Sequence, residues 1–178
     1  MNGGLGTMRQ AFATLLASTL LLLSLTACGG GSKGAAGGTD TNQMQHGELH
    51  ITTSGDFQER TASREVLPSF LEGQHEYVVL AYKAVSEHPE LLDGMPCYCG
   101  CGESAGHRSN RDCFIHELKE DGSIVWDDHG TKCNVCLEIA VESIQLQQTG
   151  KSAADIRTWI DEKYREGYAK PTDTPFPS

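Results

Sequence analysis

Apolar side chains recur at helical spacing in three stretches of this chain and alternate in a fourth. In "SFLEGQHEYVVLAYKAVSEH" (69–88), Phe70, Tyr77, Leu80, Ala81, Ala84 and Val85 share one helical face. Ser69 with Glu72 three residues on, directly after Pro68, makes a capping box, and Pro89 ends the helix. "TKCNVCLEIAVESIQLQQTG" (131–150) predicts a second helix with Thr131 as its cap. Its apolar positions are 137, 140, 141 and 144, and Gly150 stops it. "SAADIRTWIDEKYREG" (152–167) predicts a third. Ser152 and Asp155 form the cap, Ile156, Trp159, Ile160 and Tyr164 the buried stripe, and Gly167 the end. Between the first two helices, "CFIHELKEDGSIVW" (113–126) alternates on both sides of Asp121-Gly122, a two-residue turn, and predicts a β-hairpin. The fold class expected is mainly α: a small helical domain with a short β-hairpin and a Cys-rich loop.

The pattern before residue 57 is different. Residues 11–27, "AFATLLASTLLLLSLTA", are apolar or small throughout, with Arg9 the one charge before residue 33. Seventeen residues is short for a membrane span and fits the core of a secretory signal. The run closes on "LTAC" (25–28), which resembles the bacterial lipoprotein box. That resemblance implies cleavage before Cys28 and a lipid, palmitate-type anchor on its thiol. Two or more acyl chains hold a protein stably on a bilayer, at about 0.8 kcal/mol per buried CH₂. "GGGSKGAAGGTDTNQMQHG" (29–47) is too polar and Gly-rich to bury a core and reads as a tether. Taken to residue 56, it would average roughly 30 Å end to end. Met44, His46 and His50 read as ordinary linker residues. The expected organisation is a signal peptide at 1–27, an anchored flexible linker at 28–56, a Cys-rich domain at 57–170, and a loose Pro-rich tail at 171–178.

Charge narrows the partners. Removal of residues 1–27 takes away Arg9 and no acid, so the net charge of −10 becomes one unit more negative. Such a chain is a poor partner for nucleic acid or anionic lipid. The expected partners are the membrane, through the anchor, and a metal-handling or thiol protein. The expected location is the outer face of the cell membrane.

The chemistry sits in the cysteines. Cys28 aside, there are six: Cys97, Cys99, Cys101, Cys113, Cys133 and Cys136. An even set in a small extracytoplasmic domain ordinarily means disulfides. Cys97, Cys99 and Cys101, however, alternate with Tyr98 and Gly100, and a bridge between residues two apart closes a strained ring. These three need remote sulfurs or a metal. Cys133 and Cys136 form a C-x-x-C at a predicted helix start. There the helix N-terminus and Lys132 should favour thiolate, which suits redox exchange or a soft metal.

Short C-x-C and C-x-x-C spacings present two ligands from one local turn. Thiolate-rich sets select Cu(I), Zn(II) or iron–sulfur clusters. Six sulfurs exceed the four of one structural zinc. With His107 or His129 they suit two zincs or a small Cu(I) cluster; an oxidising compartment disfavours iron–sulfur. His129 follows Asp127 and Asp128, and such an acid could orient the ring from behind. His116 fits a strand position, and His75 and His88 fit packing or surface. Tyr98 and Trp126 read as packing residues that could also cover sulfur. No nucleophile–His–acid spacing resembles a hydrolase, so an enzyme is not the leading expectation.

"MPCYCGCG" (95–102) with "GHRSNRDCF", "DDHGTKCNVC" and "GKSAADIRTWIDEKY" resembles the bacterial PCYCGC-motif lipoproteins, from about Pro68 to Tyr168. The resemblance implies a lipid-anchored location and cysteines as the working part. "CNVCLEIA" followed by "GKSAADIRTWIDEKY" is also similar to the dithiol subunit of cytochrome c maturation. That would imply thiol–disulfide exchange at Cys133 and Cys136. Three readings therefore stand: a soft-metal carrier, buffer or sensor; an exchange protein; and a module stapled by disulfides or zinc.

Overall fold

A computed structural model of the protein describes residues 44–177. The apolar run at 11–27, Cys28 and the Gly-rich stretch to residue 43 lie outside the described residues. Strands β1 (Leu49–Ile51), β2 (Phe57–Thr61), β3 (Ile115–Leu118) and β4 (Ile124–Asp127) form one antiparallel sheet in the order β1-β2-β4-β3. Helices α1 (Glu76–Glu87), α2 (Pro89–Asp93), α3 (Cys101–Ser104), α4 (His129–Lys132), α5 (Asn134–Gln148) and α6 (Ala153–Lys163), with 3₁₀ turns at Ser69–Leu71 and Arg111–Cys113, complete the described elements. The architecture is the mainly helical domain with a hairpin and Cys-rich loop that the pattern predicts.

The hairpin gains two strands that the apolar pattern does not announce. β4 is buried along its whole length, with β3 on one side and β2 on the other. The buried residues of β2 are polar: Gln58, Glu59 and Thr61. Each is satisfied. Gln58 Nε2 donates to Asp127 at 2.9 Å, Trp126 Nε1 donates to Thr61 Oγ1 at 2.8 Å, and Ser69 donates N–H and O–H to Glu59 Oε2 at 2.7 Å each. Burial of polar groups is tolerated when every group finds a partner. Part of the stretch read as linker therefore belongs to the domain: Met44 is buried, and β1 lies before residue 56.

The first helix starts later than its capping box predicts. Ser69 is spent on Glu59, and Ser69–Leu71 is a single 3₁₀ turn. α1 begins at Glu76, where His75 Nδ1 accepts from the Tyr77 N–H at 3.1 Å. Its buried face is Val78, Ala81, Tyr82 and Val85, which leaves Tyr77 43% and Leu80 56% exposed. Pro89 both ends α1 and opens α2. Cys133, not Thr131, is the N-cap of α5, because the preceding residues wind into the separate turn α4. Ser152 caps α6 as expected: its hydroxyl accepts from the Asp155 N–H at 3.1 Å. Ile156, Ile160 and Tyr164 of the predicted stripe are buried, whereas Trp159 is 38% exposed.

α1 packs on α5, and α5 on α6. Tyr82 ties α1 to the sheet: its hydroxyl donates to the Asp127 carbonyl at 2.8 Å, and its ring meets Phe114 edge-on at 5.0 Å. Gly130 fits beneath these rings because it has no side chain. A Cβ there would lie 2.5 Å from Phe114 Cε1.

The tail is not loose. Thr172 and Thr174 are buried, and Arg157 Nη1 donates to the carbonyls of Thr174 at 3.1 Å and Pro175 at 3.2 Å. Prolines that rule out helix still permit an extended strap, and this one runs along the Cys-rich loop.

Candidate metal centre

α2 stops at Gly94 and delivers the chain to the Cys-rich loop. Gly100 takes φ 94°, a left-handed turn that a side chain would strain, and Cys101 then opens α3. The turn bends the strip so that its three thiols converge. The strap holds the strip from the other side. The Cys97 N–H donates to Thr172 Oγ1 at 2.9 Å, the Thr172 N–H to the Cys97 carbonyl at 3.0 Å, and the Ala169 N–H to the Tyr98 carbonyl at 3.0 Å. Tyr98 itself stacks on Tyr164 and donates to Asp161, a packing role. Trp126 likewise belongs to the core.

The other candidate ligands arrive from four places. Cys113 ends a 3₁₀ turn, Arg111–Cys113; His129 opens α4; Cys133 caps α5; and Cys136 sits in its first turn. His107 lies in the loop after α3, with its N–H donating to the Cys101 carbonyl at 3.3 Å. Asn110, wholly buried, donates Nδ2–H to the Cys136 carbonyl at 3.2 Å and ties the loop to α5.

All six sulfurs and both imidazoles meet. Cys97 Sγ is 3.4 Å from Cys99 Sγ and 3.3 Å from Cys136 Sγ, and Cys136 Sγ is 3.5 Å from Cys99 Sγ. Cys101 and Cys113 sulfurs are 3.6 Å apart. His107 Nδ1 is 3.4 Å from Cys113 Sγ, and His129 Nε2 is 3.8 Å from Cys99 Sγ. The six cysteines are free thiols. Their separations are far beyond the roughly 2.05 Å of a disulfide. They approach the spacing of about 3.8 Å between thiolates around one zinc with 2.3 Å bonds. Four sets among these residues have ligand atoms within 4.8 Å of one another: Cys97/Cys99/Cys101, Cys97/Cys113/Cys136, Cys99/Cys133/Cys136, and Cys101/His107/Cys113/His129. These clusters could hold a metal ion. His116 is exposed on β3, His75 caps α1 and His88 ends it; none joins a set.

Electrostatics prepare part of the site. Hydrogen bonds from Cys101, Cys113 and Cys136 pull the Cys97 thiol down to about 4. Cys99 is lowered too, by Cys101 first and then by Cys113, Cys133 and Cys136. Burial pushes Cys113 up. Cys133 and Cys136 do not behave as an activated pair. Cys136 lowers Cys133, but Cys99 and burial outweigh it, and Cys136 is raised by the sulfurs around it, Cys101 foremost. Lys132 does not help them. Its ammonium lies 2.8 Å from Asp128 Oδ1 and 3.3 Å from Asp56 Oδ1.

The Cys99 thiolate raises His129 to about 9, with burial opposing and Asp56 assisting. The acid behind His129 is Asp56, with Oδ1 3.2 Å from Nδ1. Asp127 accepts from the His129 backbone N–H instead, and Asp128 from the Phe57 N–H. Burial lowers His107, and the charge of His129 lowers it further, which keeps it neutral and ready to ligate. Asp56, Asn110 and Thr172 escaped the sequence reading. A faint signal for Asp56 was its place in a Ser-Gly-Asp turn before a strand.

No curated protein and no solved structure matches the chain. A family model described as a protein of unknown function with PCYCGC motif matches residues 19–177. The match lends nothing to the likeness with the cytochrome c maturation subunit. It spans the strip, the strap and every sulfur of the cluster. On that span the chain belongs to the PCYCGC-motif family.

Proposed function

We propose that this protein is a lipid-anchored, extracytoplasmic binder of a soft d¹⁰ metal, Cu(I) or Zn(II), that holds the ion for buffering or hand-over. The observation that carries the reading is the meeting of all six sulfurs and two imidazoles from five separate stretches of chain. Folding brings these groups together at a cost in thiol burial that a fold stapled by disulfides would not need. Deprotonated thiolates select soft ions, and His129 with Asp56 behind it matches the carboxylate–imidazole–metal arrangement that orients ligating rings. Cys99, Cys133, His107 and His129 are only half-buried, so a partner's thiolate has an edge at which to enter.

The location rests on the "LTAC" box after residues 11–24, and the tether beyond it would let the domain reach a partner near the membrane. Exchange of disulfides at Cys133 and Cys136 is less well supported, because Cys136 is buried against Cys97 and Cys99.

The test is metal analysis of full-length protein purified without oxygen, beside Cys97→Ser and Cys133→Ser variants. Bound copper or zinc, reduced in both variants, supports the reading. Metal-free protein carrying three disulfides after purification would overturn it. Radiolabelled palmitate on wild-type protein but not on Cys28→Ser tests the anchor.

A further inference from the structure

We infer that the sulfur pocket is built for four Cu(I) ions held as one thiolate-bridged cluster. The inference rests on the soft-metal reading and adds number, metal and layout.

Six sulfurs can bridge four metals in one closed way: at the corners of an octahedron, with a metal over every second face. Each metal then meets three sulfurs, and each sulfur meets two metals. The layout makes a strict demand on which cysteines are neighbours. Any two metal positions share one sulfur, and each sulfur has a single non-neighbour across the octahedron.

Four of the close sets meet this demand at all but one corner, and Cys97/Cys99/Cys136, mutually 3.3–3.5 Å apart, is then an open face between three of them. Cys97/Cys99/Cys101, Cys97/Cys113/Cys136 and Cys99/Cys133/Cys136 are three positions. They share Cys97, Cys99 and Cys136 pairwise. The fourth, Cys101/Cys113 with His107 and His129, shares Cys101 with the first and Cys113 with the second. The sixth bridge would join the third position to the fourth through Cys133. Here the site departs from the ideal. Cys133 is grouped only with Cys99 and Cys136, and the two imidazoles stand on the fourth position in its place. The three cross-octahedron pairs, Cys97/Cys133, Cys99/Cys113 and Cys101/Cys136, share none of these sets, although the thiols of the last two pairs still interact in the metal-free protein.

The ligand supply fits copper. Three positions offer three ligands and one offers four. Thiolate-held Cu(I) is satisfied by three, whereas zinc takes four. Two separate zinc sites would divide the residues into Cys101/His107/Cys113/His129 and the other four cysteines. Cys97 crosses that division: it lies 3.4 Å from Cys99 and 3.3 Å from Cys136, and also within 4.8 Å of Cys101 and of Cys113. Loading balances simply. Four Cu(I) ions enter as Cu(I), six thiols release six protons, the imidazoles ligate as neutral rings, and no electron is transferred. Cys133 becomes the one terminal thiolate. Of the two half-exposed sulfurs, Cys99 and Cys133, it is the one that bridges nothing, and so the one that lets copper in and out.

The experiment is native mass spectrometry of the full chain during anaerobic Cu(I) titration. The expected spectrum holds mainly metal-free and four-copper protein, because bridging makes each ion favour the next. Cys133→Ser should lose at most one copper, and Cys97→Ser, which removes a bridge, two or more. Circular dichroism establishes that each variant is folded. Saturation at one or two coppers, uniform stepwise filling, or a stable two-zinc form that copper does not displace would overturn the cluster while leaving soft-metal binding intact. Failure to bind any metal would sink both.

Discussion

His129 is held between a sulfur and a carboxylate: Nε2 lies 3.8 Å from Cys99 Sγ, and Nδ1 lies 3.2 Å from Asp56 Oδ1. The two contacts fix the ring plane and leave Nε2 facing the cluster. Asp56 arrives from the turn before β2, so the sheet takes part in positioning a ligand.

Asp56→Asn keeps the shape and removes the charge behind the ring. Loss of such an outer partner typically lowers metal affinity about 10- to 100-fold. Competition against a chromophoric chelator measures it. The same variant should lower the His129 pKa from about 9 in metal-free protein, read from the imidazole resonances in an NMR titration.

The stability of the metal-free protein should depend on pH with a definite shape. His129 rises from 6.5 to about 9 on folding, so its contribution is full below 6.5 and is lost as pH rises to 9. Cys97 falls from 9.0 to about 4, so its contribution is full above 9.0 and is lost as pH falls to 4. Between 6.5 and 9 these two slopes oppose. Below 6.5 the His129 slope is gone, while Cys97, Cys99 and His107, all lowered, lose stability as pH falls, and Asp127, raised to about 6, opposes them in part. Thermal melts should therefore fall in acid, and Cys97→Ser should make that slope shallower.

The helices and the hairpin were readable because local rules and tertiary packing agree there. Ser152 caps α6 as its spacing says, and Gly122 takes φ 84° in the turn between β3 and β4. β2 was hidden because Gln58, Glu59 and Thr61 invert the usual code, burying polar groups against partners distant in sequence. The capping box at Ser69 misled for a related reason: Glu59, ten residues earlier, holds the serine. The eight proposed ligands were legible as a list, since sulfur spacing is local. Their convergence was not, because it depends on Gly100, on the α4 turn and on the strap.

Gly130→Ala should destabilise the fold without touching a ligand. The added carbon would press on Phe114 and on the Tyr82 hydroxyl, 3.0 Å away. Overpacking of this kind costs about 1–3 kcal/mol. Urea denaturation should register the loss, while metal bound per folded molecule stays unchanged.

Thr172→Val removes the acceptor of the Cys97 amide and keeps the volume. A buried donor left without a partner costs about 1–3 kcal/mol. Hydrogen exchange at the Cys97 amide should quicken more than at the amides of α5.

The strap also sets an order of events. Residues 169–174 are made after every cysteine of the pocket, yet they clasp the backbone of Cys97 and Tyr98. Until they arrive, the thiols of the strip have no firm seat and stand open to air and to one another. Assembly of the pocket must therefore wait for this later segment, and a reducing escort or a ready supply of metal matters most in that interval.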